Sequence, residues 1–326
     1  MNRMIKEIDI NEIEGILIGN AQNKEAATGC TAIICPEGAA AGVDVRGGGP
    51  ATRETDLLKP VNMIEKIHCV MLSGGSAFGL EAGDGAMQFL EEKGIGFETG
   101  FGAVPIVCGA SLFDLATADG KIRPDKAMGY AACKAAFEKE PVNQGNFGAG
   151  TGASVGKLLG ADHVMKGGLG VFAGLIGDVL CAAVVAVNCL GDVFDTETGN
   201  MLAGVLNDDK TAMLSTSDII LASMNKDMNI FQGNTTIGCI VTNAKLTKTQ
   251  CSKLASIVHN AYARAISPVH TSADGDTVFV MSTGSVEVMP DALGVFATQV
   301  MEKAIANAVK KAETAYGIPA ASEFSK

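Results

Sequence analysis

The stretch Val179-Leu180-Cys181-Ala182-Ala183-Val184-Val185-Ala186-Val187 decides the class of fold. It has strand length, carries no charge and lacks the polar-apolar alternation of a half-exposed strand, so it reads as a strand covered on both faces. Runs of similar character occur at residues 15–18, 31–35 and 67–72. Such strands need helices on their outer faces. The chain offers helix candidates at residues 76–93, 126–137, 248–266 and 292–316. The third has the clearest start: Thr247 and Gln250 have capping-box spacing, and Leu254, Ile257, Val258, Ala261 and Ala265 follow on one face. Strand candidates at 236–242 and 277–282 flank this helix. Thr235 therefore stands at the start of one strand, and Asp274-Gly275-Asp276 forms the turn leading into the other. The pattern predicts an α/β protein with a sandwiched sheet.

The 326 residues are 47% hydrophobic and 19% charged, a balance that predicts a large buried core and subunit contacts. The 36 acidic and 25 basic side chains leave a net charge of −11, which opposes binding to nucleic acid or anionic membranes. Residues 1–10 mix charged and apolar side chains and do not read as a secretion signal. Asp178 and several glycines interrupt residues 167–191, so no membrane span is expected. The nine cysteines are odd in number, never form a Cys-x-x-Cys pair and mostly sit in apolar runs, as expected of reduced thiols in the cytoplasm. The 40 glycines mark no linker or repeat, so residues 1–326 are expected to form a single catalytic domain.

Few motifs carry chemistry by spacing alone. Ser73-Gly74-Gly75-Ser76 joins a strand to a helix, but Phe78 breaks the nucleophile-elbow spacing, and a tight backbone turn is the better reading. The glycines from Gly145 to Gly156 before Lys157 fail the phosphate-loop pattern at Thr151 and Leu158. Lys157 reads first as a solvated surface lysine and second as a positioned cation. His68, His163, His259 and His270 have no metal-ligand spacing, and neither metal nor cofactor is expected. The charges of Asp44-Val45-Arg46 and Arg53-Glu54-Thr55-Asp56 around the Gly47-Gly48-Gly49-Pro50 turn suggest a buried ion pair that shapes a loop. Asp274 and Asp276 read equally as a turn or as convergent carboxylates of a site. Asn234-Thr235 is an ordinary dipeptide by itself.

Taken in order, several segments form a family pattern. They are Asp44-Val45-Arg46-Gly47-Gly48, Arg53-Glu54-Thr55-Asp56-Leu57-Leu58, Gly74-Gly75-Ser76-Ala77-Phe78-Gly79-Leu80, Gly148-Ala149-Gly150-Thr151-Gly152-Ala153, Asn234-Thr235-Thr236-Ile237-Gly238 and Asp274-Gly275-Asp276-Thr277-Val278-Phe279. Over most of its length the chain resembles the family of L-aminopeptidase/D-esterases, β-aminopeptidases and nylon-oligomer hydrolases. The resemblance implies a four-layer αββα sandwich like that of N-terminal-nucleophile hydrolases. It also implies self-cleavage between Asn234 and Thr235 into an α chain, 1–234, and a β chain, 235–326, with Thr235 as the nucleophile.

By the same resemblance, Asn188 stabilises an oxyanion, Lys157 is an active-site lysine, and Asp274 and Asp276 orient the nucleophile and its amino group. Phe113 stands where some relatives have a tyrosine. The expected substrates are small aminoacyl amides, esters or short peptides with a free amine, 6-aminohexanoate-type oligomers among them. The expected assembly is a homo-oligomer, a tetramer or larger, of αβ units. Two other readings remain open at this stage: a threonine-nucleophile acyltransferase that passes its acyl group to an amine, and an unprocessed, non-enzymatic binding or scaffold protein of the same fold.

Overall fold

The computed structural model describes residues 4–225 and 233–324, except for the Ser285 side chain. Its main strands are β1 (Leu17–Asn23), β2 (Thr28–Val45), β3 (Lys66–Ser73), β4 (Val107–Ser111), β5 (Gly168–Ile176), β6 (Val179–Asn188), β7 (Thr235–Ala244) and β8 (Thr277–Val286). The helices are α1 (Ala82–Glu92), α2 (Lys126–Phe137), the short α3 (Thr216–Ala222), α4 (Lys248–Ala265) and α5 (Pro290–Lys310). Hydrogen bonding joins the strands in the order β5-β6-β7-β8-β2-β3-β4, with β1 alongside β2.

Strand β2 links two leaves of this sheet. Its residues 28–34 pair with β1, and residues 40–45 pair with β8. Between them the register with β3 breaks, between Ile34 and Ala39. Pro36 has no N–H to give to a ladder, and Gly38 has a φ of 73°, so the strand cannot continue its pairing unchanged through this point.

The side chains then sort by alternation. On β6, Ala182, Val184 and Ala186 pack against Ile33, Val70, Leu72 and Ala110 of the other leaf. Cys181, Ala183, Val185 and Val187 point the opposite way, into the core formed with α4 and α5. On the far side, Cys30, Ala32 and Met71 meet Ala86 and Phe89 of α1 and Cys133 of α2. Three cores thus separate four layers, αββα, and both faces of the 179–187 run are buried. The parallel neighbours β7 and β8 are connected through α4, and the parallel β3 and β4 through α1, because a parallel pair requires a crossover.

Several boundaries differ from the sequence-based expectation. The strand expected at 31–35 is part of an 18-residue strand, and the one at 15–18 begins at Leu17, after a turn in which Gly15 has a φ of 81°. Residues 76–81 are 3-10 helix, so α1 begins only at Ala82. The last helix ends at Lys310; Tyr316 lies beyond it in a turn with a φ of 57°. The capping box of α4 is present, with Thr247 accepting from the Gln250 N–H and the Gln250 side chain accepting in return. All nine cysteines are free and buried.

The aromatic ring of Phe279, fully buried on β8, fills the core between the two leaves. Phe279→Ala should lower the unfolding free energy by about 3–5 kcal/mol. Denaturant titration checks this, and a loss below about 1 kcal/mol would show that the two leaves do not depend on that contact.

Candidate active site

Strand pairing brings distant parts of the sequence to one edge of the sheet. The antiparallel register of β6 and β7 sets Asn188 opposite Thr235. Because β7 and β8 are parallel, their N-terminal ends lie together, and Asn234 forms a bridge with Asp274. The loop before β8 grips the start of β7 on both sides of Thr235. The Gly275 N–H donates to the Asn234 carbonyl at 3.0 Å, and the Thr236 N–H donates to Asp276 Oδ1 at 2.7 Å. A Cβ on Gly275 would lie 2.8 Å from Thr235 Oγ1, so only glycine lets the loop approach this closely. The Thr235 hydroxyl itself donates to the Asn234 carbonyl.

Asn188 is the hub on the opposite side. Its Oδ1 accepts from Lys157 Nζ at 2.7 Å and from the Ser154 N–H at 3.1 Å. Its Nδ2 donates to the Phe113 carbonyl at 2.9 Å and to the Gly233 carbonyl at 3.2 Å. Lys157 Nζ also donates to the Gly233 carbonyl, at 2.9 Å. Lys157 is only 5% exposed, which overturns the surface reading that spacing favoured. Burial pushes its ammonium down to about 7, against the opposing pull of Cys189, Asp114 and Asp274. Burial and the neighbouring Asp276 push the Asp274 carboxyl up to about 6, although Asp274 Oδ2 accepts the Thr271 N–H at 2.6 Å.

All the residues singled out from the sequence, Asn188, Lys157, Asn234, Thr235, Asp274 and Asp276, are buried and belong to this one cluster. Phe113 is also here: its carbonyl binds Asn188, and its ring packs so closely on Gly233 that a Cβ there would lie 2.1 Å from the ring. The position thus carries a hydrocarbon ring and no hydroxyl. Lys157, Phe113 and Ser154 also line a cavity of about 330 Å³, together with Asp162, Lys210 and Tyr316.

The glycine-rich loop around Pro50 proves to be a brace for the acidic pair. The Gly49 N–H donates to the Asp274 carbonyl at 2.7 Å, and the Arg46 and Gly47 N–H groups donate to the Asp276 carbonyl at 3.0 and 3.3 Å. The ion pair expected there is not buried. Arg46 and Asp44, 2.9 Å apart, keep side-chain exposures of 36% and 30%, and Arg53 pairs instead with Asp84.

Sequence reasoning missed His270, whose Nδ1 lies 2.9 Å from Asp276 Oδ2. A search for metal-ligand spacing could not find it. Its position six residues before Asp276, in the same loop, was the available signal. It also missed Asp114, buried beside this site, where it accepts from the Gly75 N–H and the Thr28 hydroxyl at 2.7 Å each.

A family model described as peptidase family S58 matches residues 9–321. A protein of Mycobacterium leprae named an uncharacterized aminopeptidase is 37% identical over 340 residues, covering 95% of this chain and 92% of the relative. A 6-aminohexanoate-oligomer endohydrolase of Kocuria sp. is 33% identical over 313 residues, covering 92% and 85% respectively. Among solved structures, the L-aminopeptidase D-Ala-esterase/amidase of Ochrobactrum anthropi, described as a variant of the Ntn-hydrolase fold, superposes with a TM-score of 0.68. That match covers 94% of this chain and 88% of the other at 18% identity, so it speaks to the fold.

The raised Asp274 carboxyl makes stability depend on pH. With about 6 in the native state against about 3.9 in an unfolded chain, the native state holds the proton more tightly. This favours folding fully below about pH 4 and is lost as pH rises through about 6. Compared with Asp274→Asn, the wild type should therefore melt at a relatively lower temperature at pH 7.5 than at pH 4. Thermal unfolding at both pH values checks this, and a pH-independent difference between the two proteins would contradict the raised value.

Proposed function

The chain belongs to peptidase family S58, and from that premise we propose that it is a self-processing amidohydrolase whose nucleophile is Thr235. The observation that carries this reading is the placement of the Thr235 hydroxyl against the Asn234 carbonyl, whose oxygen also accepts the Gly275 N–H. In the continuous chain Thr235 Oγ1 attacks the Asn234 carbonyl carbon. The Gly275 N–H steadies the charge that develops on the oxygen. The C–N bond then breaks, the nitrogen takes up a proton, and an ester joins Asn234 to the threonine oxygen. Water hydrolyses that ester, leaving a carboxylate on Asn234 and a free amine on Thr235.

The cut makes the enzyme. A threonine hydroxyl is a weak nucleophile, whereas an α-amino group titrating at about 7.7–8.0 can accept its proton near neutral pH. The same oxygen then attacks a substrate amide or ester, expels the amine or alcohol, and leaves an acyl-enzyme for water to hydrolyse. Lys157 Nζ and Asn188 Nδ2 both donate to the Gly233 carbonyl in the continuous chain. Once that segment withdraws, they are the donors for a substrate carbonyl oxygen as it becomes negative. The buried Asp274 and Asp276 orient the new amine.

The proposed substrates are small aminoacyl amides, esters and short peptides with a free amine, 6-aminohexanoate oligomers among them. The cavity of about 330 Å³ beside Lys157 suits a residue-sized acyl group, and the 33% identity to the Kocuria endohydrolase supports the oligomers. We place the enzyme in the cytoplasm as a homo-oligomer of αβ units. Its nine free, buried cysteines and its solvent-facing apolar side chains, such as Phe101 and Val295, support that setting. Among the described residues no helix is long and apolar enough to cross a membrane.

Intact mass under denaturing conditions tests the reading. Wild type should resolve into residues 1–234 and 235–326, while Thr235→Ala stays whole and loses turnover of aminoacyl p-nitroanilides by on the order of 10³-fold or more. A wild type that remains one chain after long incubation, or a Thr235→Ala chain that still divides at this bond, would rule the mechanism out.

A further inference from the structure

His270 is held in an unusual way for a residue without metal-ligand spacing. Its backbone has a φ of 57°, a region that few non-glycine residues occupy, histidine, asparagine and aspartate among them. In that conformation it gives Asp276 Oδ2 two contacts, its own N–H at 3.1 Å and ring Nδ1 at 2.9 Å. The other ring nitrogen, Nε2, is buried with no hydrogen-bond partner. A proton on that nitrogen would be stranded without an acceptor, which places the ring proton on Nδ1 and makes it the donor to the carboxylate. The ring is packed between α4 side chains, with its centroid 4.8 Å from that of His259 and 6.0 Å from that of Tyr262. Burial pushes His259 down to about 4, so this neighbour is neutral near pH 7 and does not compete as a cation for Asp276.

The two attachments of Thr235 to this loop have different fates. The Gly275 N–H holds the Asn234 carbonyl, which lies on the departing side of the bond to be cut. Asp276 Oδ1 holds the Thr236 N–H, which lies on the side that stays with the nucleophile. Before cleavage both clamps fix Thr235; afterwards the chain from His270 through Asp276 to the Thr236 N–H is the one that still anchors it from this loop. Resting on the assignment of Thr235 as nucleophile, we infer that His270 is a positioning residue whose Nδ1–H locks the Asp276 carboxylate so that it aims Thr235 in the processed enzyme. His270 therefore matters more for substrate turnover than for self-cleavage.

Two substitutions separate the ring from the backbone. His270→Gly keeps the positive φ and the N–H but loses the Nδ1 donor. His270→Asn tolerates the same backbone conformation and returns a side-chain donor. With His270→Gly, self-cleavage should stay within about threefold of wild type, while kcat on alanine p-nitroanilide falls by on the order of 10²-fold, the effect of a reacting group misplaced by about 1 Å. KM should change far less than kcat. His270→Asn should recover most of the lost kcat. Equal losses of cleavage and turnover, wild-type turnover in His270→Gly, or no recovery with asparagine would each overturn the inference. In a Thr235→Ala background, the Thr236 amide proton should move upfield in His270→Gly and return downfield in His270→Asn. This signature does not depend on processing. An uncut wild type would remove the nucleophile assignment, and an unmoved Thr236 amide would remove the clamp.

Discussion

The site depends on one constraint, the register of β7 (Thr235–Ala244) between its neighbours. The strand is hydrogen-bonded on both edges, antiparallel to β6 and parallel to β8, and buried on both faces. A slip of one residue would turn Ile237, Cys239 and Val241 out of the core between the leaves and send Ile240 and Ala244 the wrong way. The core thus locks the register, and the register places Thr235 opposite Asn188 and next to the Asp274–Asp276 turn. The side chains at the edge of the sheet are positioned by packing in its middle.

Around that edge the protein buries charge that water would otherwise solvate. Lys157 donates to an amide oxygen and a backbone carbonyl, and Lys166 behind it donates to the Thr151 and Ala153 carbonyls at 3.1 and 2.7 Å. Burial brings both ammonium groups down to about 7. Lys166 thereby ties down the glycine-rich loop whose Ser154 N–H holds Asn188. Asp114 lies close enough to favour the charged form of both lysines, while its own carboxyl is raised by burial. Lysines brought down to about 7 are suited to proton transfer, and buried ionisable groups are costly to a fold unless they are hydrogen-bonded.

The acidic turn meets that demand with backbone groups. The Arg46–Gly49 segment donates to the Asp274 and Asp276 carbonyls, and the Thr271 and Thr236 N–H groups bind the two carboxylates. A carboxylate held by backbone donors, with the His270 ring nitrogen at one oxygen, keeps a fixed orientation. This makes the turn a rigid support for the first residue of β7, and it accounts for a motif of charges and glycines that in sequence looked like loop structure alone.

The sequence by itself determined the layered α/β class, because the strand length, branched residues and uninterrupted apolarity of residues 179–187 read as a strand covered on both sides. It also determined the α4 cap at Thr247 and Gln250, and the position of Thr235 and the Asp274–Asp276 turn at strand starts. These are local signals, carried by apolar runs, capping and turn chemistry within a few residues. The succession of motifs added the family. Only the tertiary structure decided that Lys157 is buried, that Phe113 presents a ring to Gly233, that β2 passes between the two leaves at Pro36 to Gly38, and that His270 holds Asp276. Each of these depends on contacts between segments far apart in sequence or on a backbone conformation imposed by packing. Spacing along the chain carries no record of which distant surfaces the core brings together.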